Sequence, residues 1–110
     1  MLTASADKIL AFLKESDVVL DIGGGLQPFN RANYVLDTLP YEQRRTGNSR
    51  EYFTKESWIE WDICSRKPFP FADQSIDFVV CSHTLEDIRD PIWVCQEMNR
   101  IAKRGYIETP

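Results

Sequence analysis

Three aspartates stand where short strand-like runs end: Asp21 in the apolar VVLD, Asp37 in the apolar YVLD and Asp62 in the alternating WIEWD. Gly23, Gly24 and Gly25 follow the first of them, and the only histidine, His83, follows the run IDFVVCS. Ionised carboxylates only accept hydrogen bonds, which suits them to paired hydroxyls or to an amino group. Sixteen positions separate Asp21 from Asp37, close to the ~20-residue spacing at which an acidic side chain meets a ribose. Asp62, followed by the backbone amide of Ile63, suits the edge of an adenine: the carboxylate accepts from the amino group and the amide donates to a ring nitrogen. Histidine is the side chain that exchanges protons near neutral pH, so His83, with Ser82 beside it, is the candidate for acid–base work.

Such chemistry needs the carboxylates side by side, and the flanking sequence supplies strands to hold them. Val18, Val19, Leu20 and Ile22 do not alternate with polar residues, which predicts a parallel strand over residues 17–22 buried on both faces. Three successive glycines let the backbone turn sharply and let a ligand lie against bare peptide. Asp21 then falls at the strand's carboxyl end, where open α/β sheets bind their ligands. Further strands are expected at Tyr34–Asp37, residues 58–62, residues 76–81 and residues 106–109. The link from Gly25 to Tyr34 is near the minimum of about ten residues for a parallel crossover. It contains Pro28, Asn30, Arg31 and Asn33, and so reads as an irregular rim beside the ligand.

Two helices frame the strands. Residues 5–15 place Ile9, Leu10, Phe12 and Leu13 on one face, suited to lying on the sheet. Asp90 and Pro91 read as an N-cap and first helical position, opening a helix to about Ala102. Ile92, Cys95, Met98, Ile101 and Ala102 would be its buried face, with Lys103 and Arg104 complementing its dipole and Gly105 ending it. Residues 38–57 are polar, broken at Gly47, Asn48 and Ser49, and read as a solvated loop. The functional alternative is a flap that uses an arginine to bind an anionic substrate.

At 110 residues the chain is expected to form one domain that buries roughly 65% of its unfolded surface. A net charge of −4 argues against non-specific nucleic-acid binding. Cys64, Cys81 and Cys95 form no disulfide or metal-site pattern and read as reduced thiols, two of them in the core, of a cytoplasmic protein. No apolar run approaches the ~20 residues of a membrane span, and no signal peptide is apparent.

Taken in order, DIGGG, YVLD, WIEWDIC, PFPFADQSIDFVVCSHTLEDIRDP and EMNRIAKRGYIETP resemble the class I S-adenosylmethionine-dependent methyltransferases, in particular the methyltransferase type 11-like group. The resemblance implies a Rossmann-like α/β fold, an open and mostly parallel sheet of about five strands in order 3-2-1-4-5. It implies S-adenosyl-L-methionine as cofactor, with Asp21, Gly23 and Gly25 around its methionine moiety and Gly24 between them. Asp37 would meet the ribose, Asp62 and Ile63 the adenine, and Ser82 with His83 would face cofactor and acceptor. Gln27 stands where the group's third glycine usually falls, and the usual sixth and seventh strands have no counterpart. The strand over residues 106–109 would then expose an edge, which predicts a homodimer. The methyl acceptor is expected to be a small molecule. The alternative function is a module or sensor that binds S-adenosylmethionine without turnover. An NAD-dependent oxidoreductase would need GxGxxG opening a long helix, which Pro28 opposes.

Overall fold

The computed structural model describes residues 1, 3–47 and 49–110; Asn48, part of the expected break, lies outside them. The chain runs through α1 (Thr3–Leu10), β1 (Val19–Ile22), β2 (Tyr34–Asp37), β3 (Trp58–Glu60), β4 (Ile76–Ser82), α2 (Pro91–Ile101) and β5 (Ala102–Glu108). The strands form one parallel sheet in order β3-β2-β1-β4-β5, the Rossmann-like α/β arrangement that the sequence predicts. All four residues of β1 are buried, because helices or loops cover both faces of a central parallel strand.

Side-chain alternation sorts the core into two layers. Val19, Phe78 and Val80 pack with Ile9 of α1 and with Phe29 and Ala32. Leu20, Ile22, Leu36, Val79 and Cys81 pack with Val94, Met98 and Ile101 of α2. A third cluster, Val35, Phe53 and Trp58, lies under the loop that joins β2 to β3. Among the described residues no helix is long and apolar enough to cross a membrane.

Several local expectations are corrected. Helix α1 ends at Leu10, five residues early, leaving Leu10 and Phe12 about half exposed (46% and 59%). Beyond it the carbonyls of Lys14, Glu15 and Asp17 turn inward to the buried guanidinium of Arg31, which satisfies them in place of helical bonds. Arg31 is therefore a clamp on the α1–β1 link, and Asn33 accepts the Val19 N–H. Helix α2 is capped by Asp90 as expected, but it buries Val94, Glu97, Met98 and Ile101 while Ile92 and Cys95 face out. Glu97 hides the true stripe in the sequence: its carboxylate accepts from the Phe69 N–H and from Arg100, which makes a buried acid tolerable.

Gly105 does not end α2. The helix passes directly into β5 at Ala102, which is already extended, and Gly105 pairs with Val79 inside the sheet. Lys103 and Arg104 consequently reach Asp77 and Asp17 instead of the helix end. Of the three free thiols only Cys81 is fully buried; Cys64 is half-buried and Cys95 exposed. In the loop after β2, Arg44 grips Glu51 through two nitrogens and lies over the Tyr41 ring at 3.6 Å. That engagement, with bonds to the Tyr41 carbonyl and hydroxyl, uses four of the five guanidinium N–H donors within the loop itself.

Candidate functional site

In a parallel sheet the strand tips converge on one edge, and the turns leaving β1, β2, β3 and β4 line a single cleft there of about 270 Å³. Gly23, Asp37, Asp62, Ile63 and His83, five of the residues singled out in the sequence, meet in it. Leu36, Trp61, Thr84, Asp87 and Ile88 supply further parts of its wall.

Asp37 is placed by hydrogen bonds on both oxygens. One accepts the Gly25 N–H and the other the Leu39 N–H, each at 2.7 Å. A carboxylate offers about four lone-pair sites, so Asp37 keeps acceptor capacity for hydroxyls after making both bonds. Asp62 folds its own turn, accepting the Cys64 N–H on one oxygen at 2.9 Å; its other oxygen has no partner among the described residues. Trp61 lies between these aspartates in the cleft wall, and its indole N–H is buried without a partner among the described residues.

The glycine turn is packed by protein from below. Gly23 has φ +70°, and a Cβ there would come within 2.4 Å of the Thr84 hydroxyl. That hydroxyl donates to the carbonyls of Gly23 and Ser82, tying the turn after β1 to the tip of β4. A Cβ at Gly24 would lie 2.8 Å from an Asp21 oxygen and 3.0 Å from Pro28. Gly24 and Gly25 do not line the cleft, and their geometry serves the turn itself.

Asp21 and Ser82 also sit outside the cleft wall. Asp21 shares the Val19 face of β1 and so points under the turn, where its carboxylate accepts the Phe29 N–H at 2.8 Å. Burial pushes this carboxyl up to about 6, opposed by the Phe29 hydrogen bond and reinforced slightly by Asp37. Ser82 donates to Glu108 at 2.7 Å, its partner across the β4–β5 register.

His83 occupies the left-handed region, φ +50°, and its N–H donates to the Glu108 carbonyl. Its ring is 41% exposed and lies between two carboxylates, Nδ1 at 3.6 Å from Glu86 and Nε2 at 3.5 Å from Glu108. Glu108 is the residue that sequence reasoning missed. Hydrogen bonds from Ser5 and Ser82, with His83 nearby, hold its carboxyl below the usual range. Cys81, one residue before this group, is not a nucleophile, since burial raises its thiol to about 12.

A cleft with acceptor oxygens at two neighbouring tips, an apolar floor and a histidine at its far side is suited to a nucleoside-like ligand with a reacting group near His83. A family profile described as a methyltransferase domain matches residues 20–107, which takes in every residue of this cleft and all of the sheet except Val19 and Glu108 at its two ends. A search of curated proteins gave no match.

Proposed function

This chain belongs to the methyltransferase domain family, and from that premise we propose that it binds S-adenosyl-L-methionine in the cleft and transfers the methyl group to a small-molecule acceptor. The observation that carries the reading is the meeting of Asp37, Asp62, Ile63 and His83 around one opening beside Gly23. When bound, the cofactor supplies an electrophilic methyl group on a sulfonium centre. Asp37 would accept from the ribose hydroxyls, and Asp62 and the Ile63 amide would meet the adenine edge. The chain's main task is then to hold the nucleophile in line, which can supply about 7–11 kcal/mol. His83 would take the proton that the acceptor loses.

A second reading, binding without turnover, is favoured by one feature: both ring nitrogens of His83 already face carboxylates. Calorimetry with S-adenosylmethionine against NAD tests the cofactor, and heat with NAD alone would overturn the reading. Transfer of labelled methyl to pooled small molecules, protein or RNA separates enzyme from sensor. Three free thiols, one of them exposed, support a reducing compartment, the cytoplasm. Half-exposed Ile107 on the outer strand β5 supports a homodimer through that edge. Sedimentation as a monomer at micromolar concentration would remove the dimer.

A further inference from the structure

We infer that Glu108 is the positioning residue for His83, fixing the ring so that Nε2 carries the hydrogen and Nδ1 is the atom that takes a proton. The inference rests on the reading of the cleft as a methyl-transfer site, and its geometry comes from three separate elements.

The register of β4 with β5 sets Ser82 opposite Glu108, so the glutamate stands at the tip of the strand beside the histidine's own. Both of its oxygens are then held: one by the Ser5 hydroxyl of α1 at 2.5 Å, the other by the Ser82 hydroxyl at 2.7 Å. The same residue's carbonyl takes the His83 N–H at 2.7 Å. His83 adopts its left-handed backbone, uncommon for any residue but glycine, within this grip. A strained backbone that is tied at the main chain and faced at the side chain by one residue is over-determined by that residue.

The second carboxylate is held differently. Glu86 belongs to a single 3-10 turn, Leu85–Asp87, and its side chain makes no hydrogen bond among the described residues, only the 3.6 Å approach to Nδ1 of His83. A neutral imidazole has one N–H and one lone pair. The carboxylate that is fixed draws the N–H to Nε2, and the one that is loosely held is displaced when an acceptor approaches Nδ1. An acceptor would pass its proton to Nδ1 as its electron pair bonds the methyl carbon, the carbon–sulfur bond of the bound cofactor breaking with its pair to sulfur so that a neutral thioether leaves, and the imidazolium so formed would lie between two carboxylates. Helix α1 enters the site through Ser5, more than a hundred residues away in the chain, which gives that helix a role beyond covering the sheet.

The test uses the sole histidine, whose two ring nitrogens give an unambiguous pair of ¹⁵N signals. In the wild type, with the ring neutral, the Nε2–H tautomer should dominate. Glu108→Gln should raise the Nδ1–H share about fivefold, since Glu86 is then the only carboxylate competing for the hydrogen. Glu108→Asp should restore part of the original ratio, and Glu86→Gln should leave Nε2–H dominant. Should Glu108→Gln fail to fold, Ser82→Ala keeps the charge but frees it, and should shift the ratio in the same direction by a smaller factor. An unchanged ratio in a folded Glu108→Gln or Ser82→Ala protein overturns the inference, because a merely structural glutamate would alter stability alone. Calorimetry of the wild type with S-adenosylmethionine fails separately: absence of heat removes the cofactor reading, whereas the tautomer ratio decides on Glu108.

Discussion

Asp37 accepts the Gly25 N–H at 2.7 Å, so the tip of β2 holds the turn that follows β1. Its other oxygen holds the Leu39 N–H, and the pair of bonds orients the carboxylate at the cleft. Asp37→Asn keeps the shape but replaces one acceptor oxygen by a donor. One of the two backbone N–H groups then loses its partner, at a cost of about 1–2 kcal/mol in stability. A charge-assisted bond to a ribose hydroxyl contributes about 1.5–3 kcal/mol, so the cofactor's Kd should rise roughly tenfold to a hundredfold. Titration calorimetry with S-adenosylmethionine reads this, and an affinity unchanged by the substitution would remove Asp37 from the binding site.

Burial raises Asp21 to about 6 from an ordinary 3.8. The folded protein therefore holds this proton more tightly than the unfolded chain, and the contribution to stability is greatest below about pH 4. It falls as pH rises to about 6 and is flat beyond, a span of about 3 kcal/mol. Glu108, Glu97 and Asp77 are shifted down and act with the opposite sign in more acidic solution. Because they are common to both proteins, comparison with Asp21→Asn isolates the aspartate. Between pH 4.5 and 7 the wild type should lose about 2 kcal/mol relative to the variant in urea unfolding. Parallel pH profiles for the two would show that the carboxyl is not buried as described.

The parts of the site that could be read from sequence are those set by local pattern. An apolar run ending in Asp37 and an alternating one leading to Asp62 gave the strands, and the sheet order put those tips together. Asp21 belongs to a comparable run and, by the β1–β2 register, shares a sheet face with Asp37, yet it stands one residue inside β1, under the turn and against Phe29, whereas Asp37 is the last residue of β2 and Asp62 lies beyond β3. That difference in depth was legible in principle. Glu108 and Glu97 were not, because their meaning depends on partners brought from far along the chain: Ser5 and Ser82 for one, Phe69 for the other. The early end of α1 has the same cause, since Arg31 supplies donors that no pattern within residues 3–15 reveals.

Arg100 and Glu97 form a paired contact between consecutive turns of α2, with Nε to one oxygen at 2.8 Å and a terminal nitrogen to the other at 3.0 Å. Glu97 is only 5% exposed and also accepts the Phe69 N–H, while Arg100 reaches the Phe69 and Phe71 carbonyls. The pair thus fastens the proline-containing segment before β4 onto the helix. Arg100→Ala leaves a buried carboxylate without its cation and the Phe71 carbonyl without its donor, the Phe69 carbonyl keeping the Phe71 N–H, and should cost about 2–4 kcal/mol. Arg100→Lys keeps the charge without the planar fork and should recover less than half of that. Urea unfolding measures both, and a lysine variant as stable as the wild type would show that charge alone suffices.

Gly105 stands opposite Val79 in the β4–β5 register. A Cβ built on it would meet Val79 Cγ1 at 2.8 Å and the Val79 carbonyl oxygen at 2.9 Å. Gly→Ala at an unstrained position stabilises by about 0.4–1 kcal/mol through the unfolded chain, but although Gly105 is itself exposed, a Cβ there would press on buried Val79, and overpacking costs about 1–3 kcal/mol. The backbone oxygen cannot rotate away as a side chain can, so the clash wins and Gly105→Ala should lose about 1–2 kcal/mol. Val79→Ala in the same chain relieves only the methyl contact. The double variant should therefore be more stable than the sum of the two single losses implies, yet remain below Val79→Ala alone. Strict additivity in urea unfolding would mean that Gly105 and Val79 do not touch.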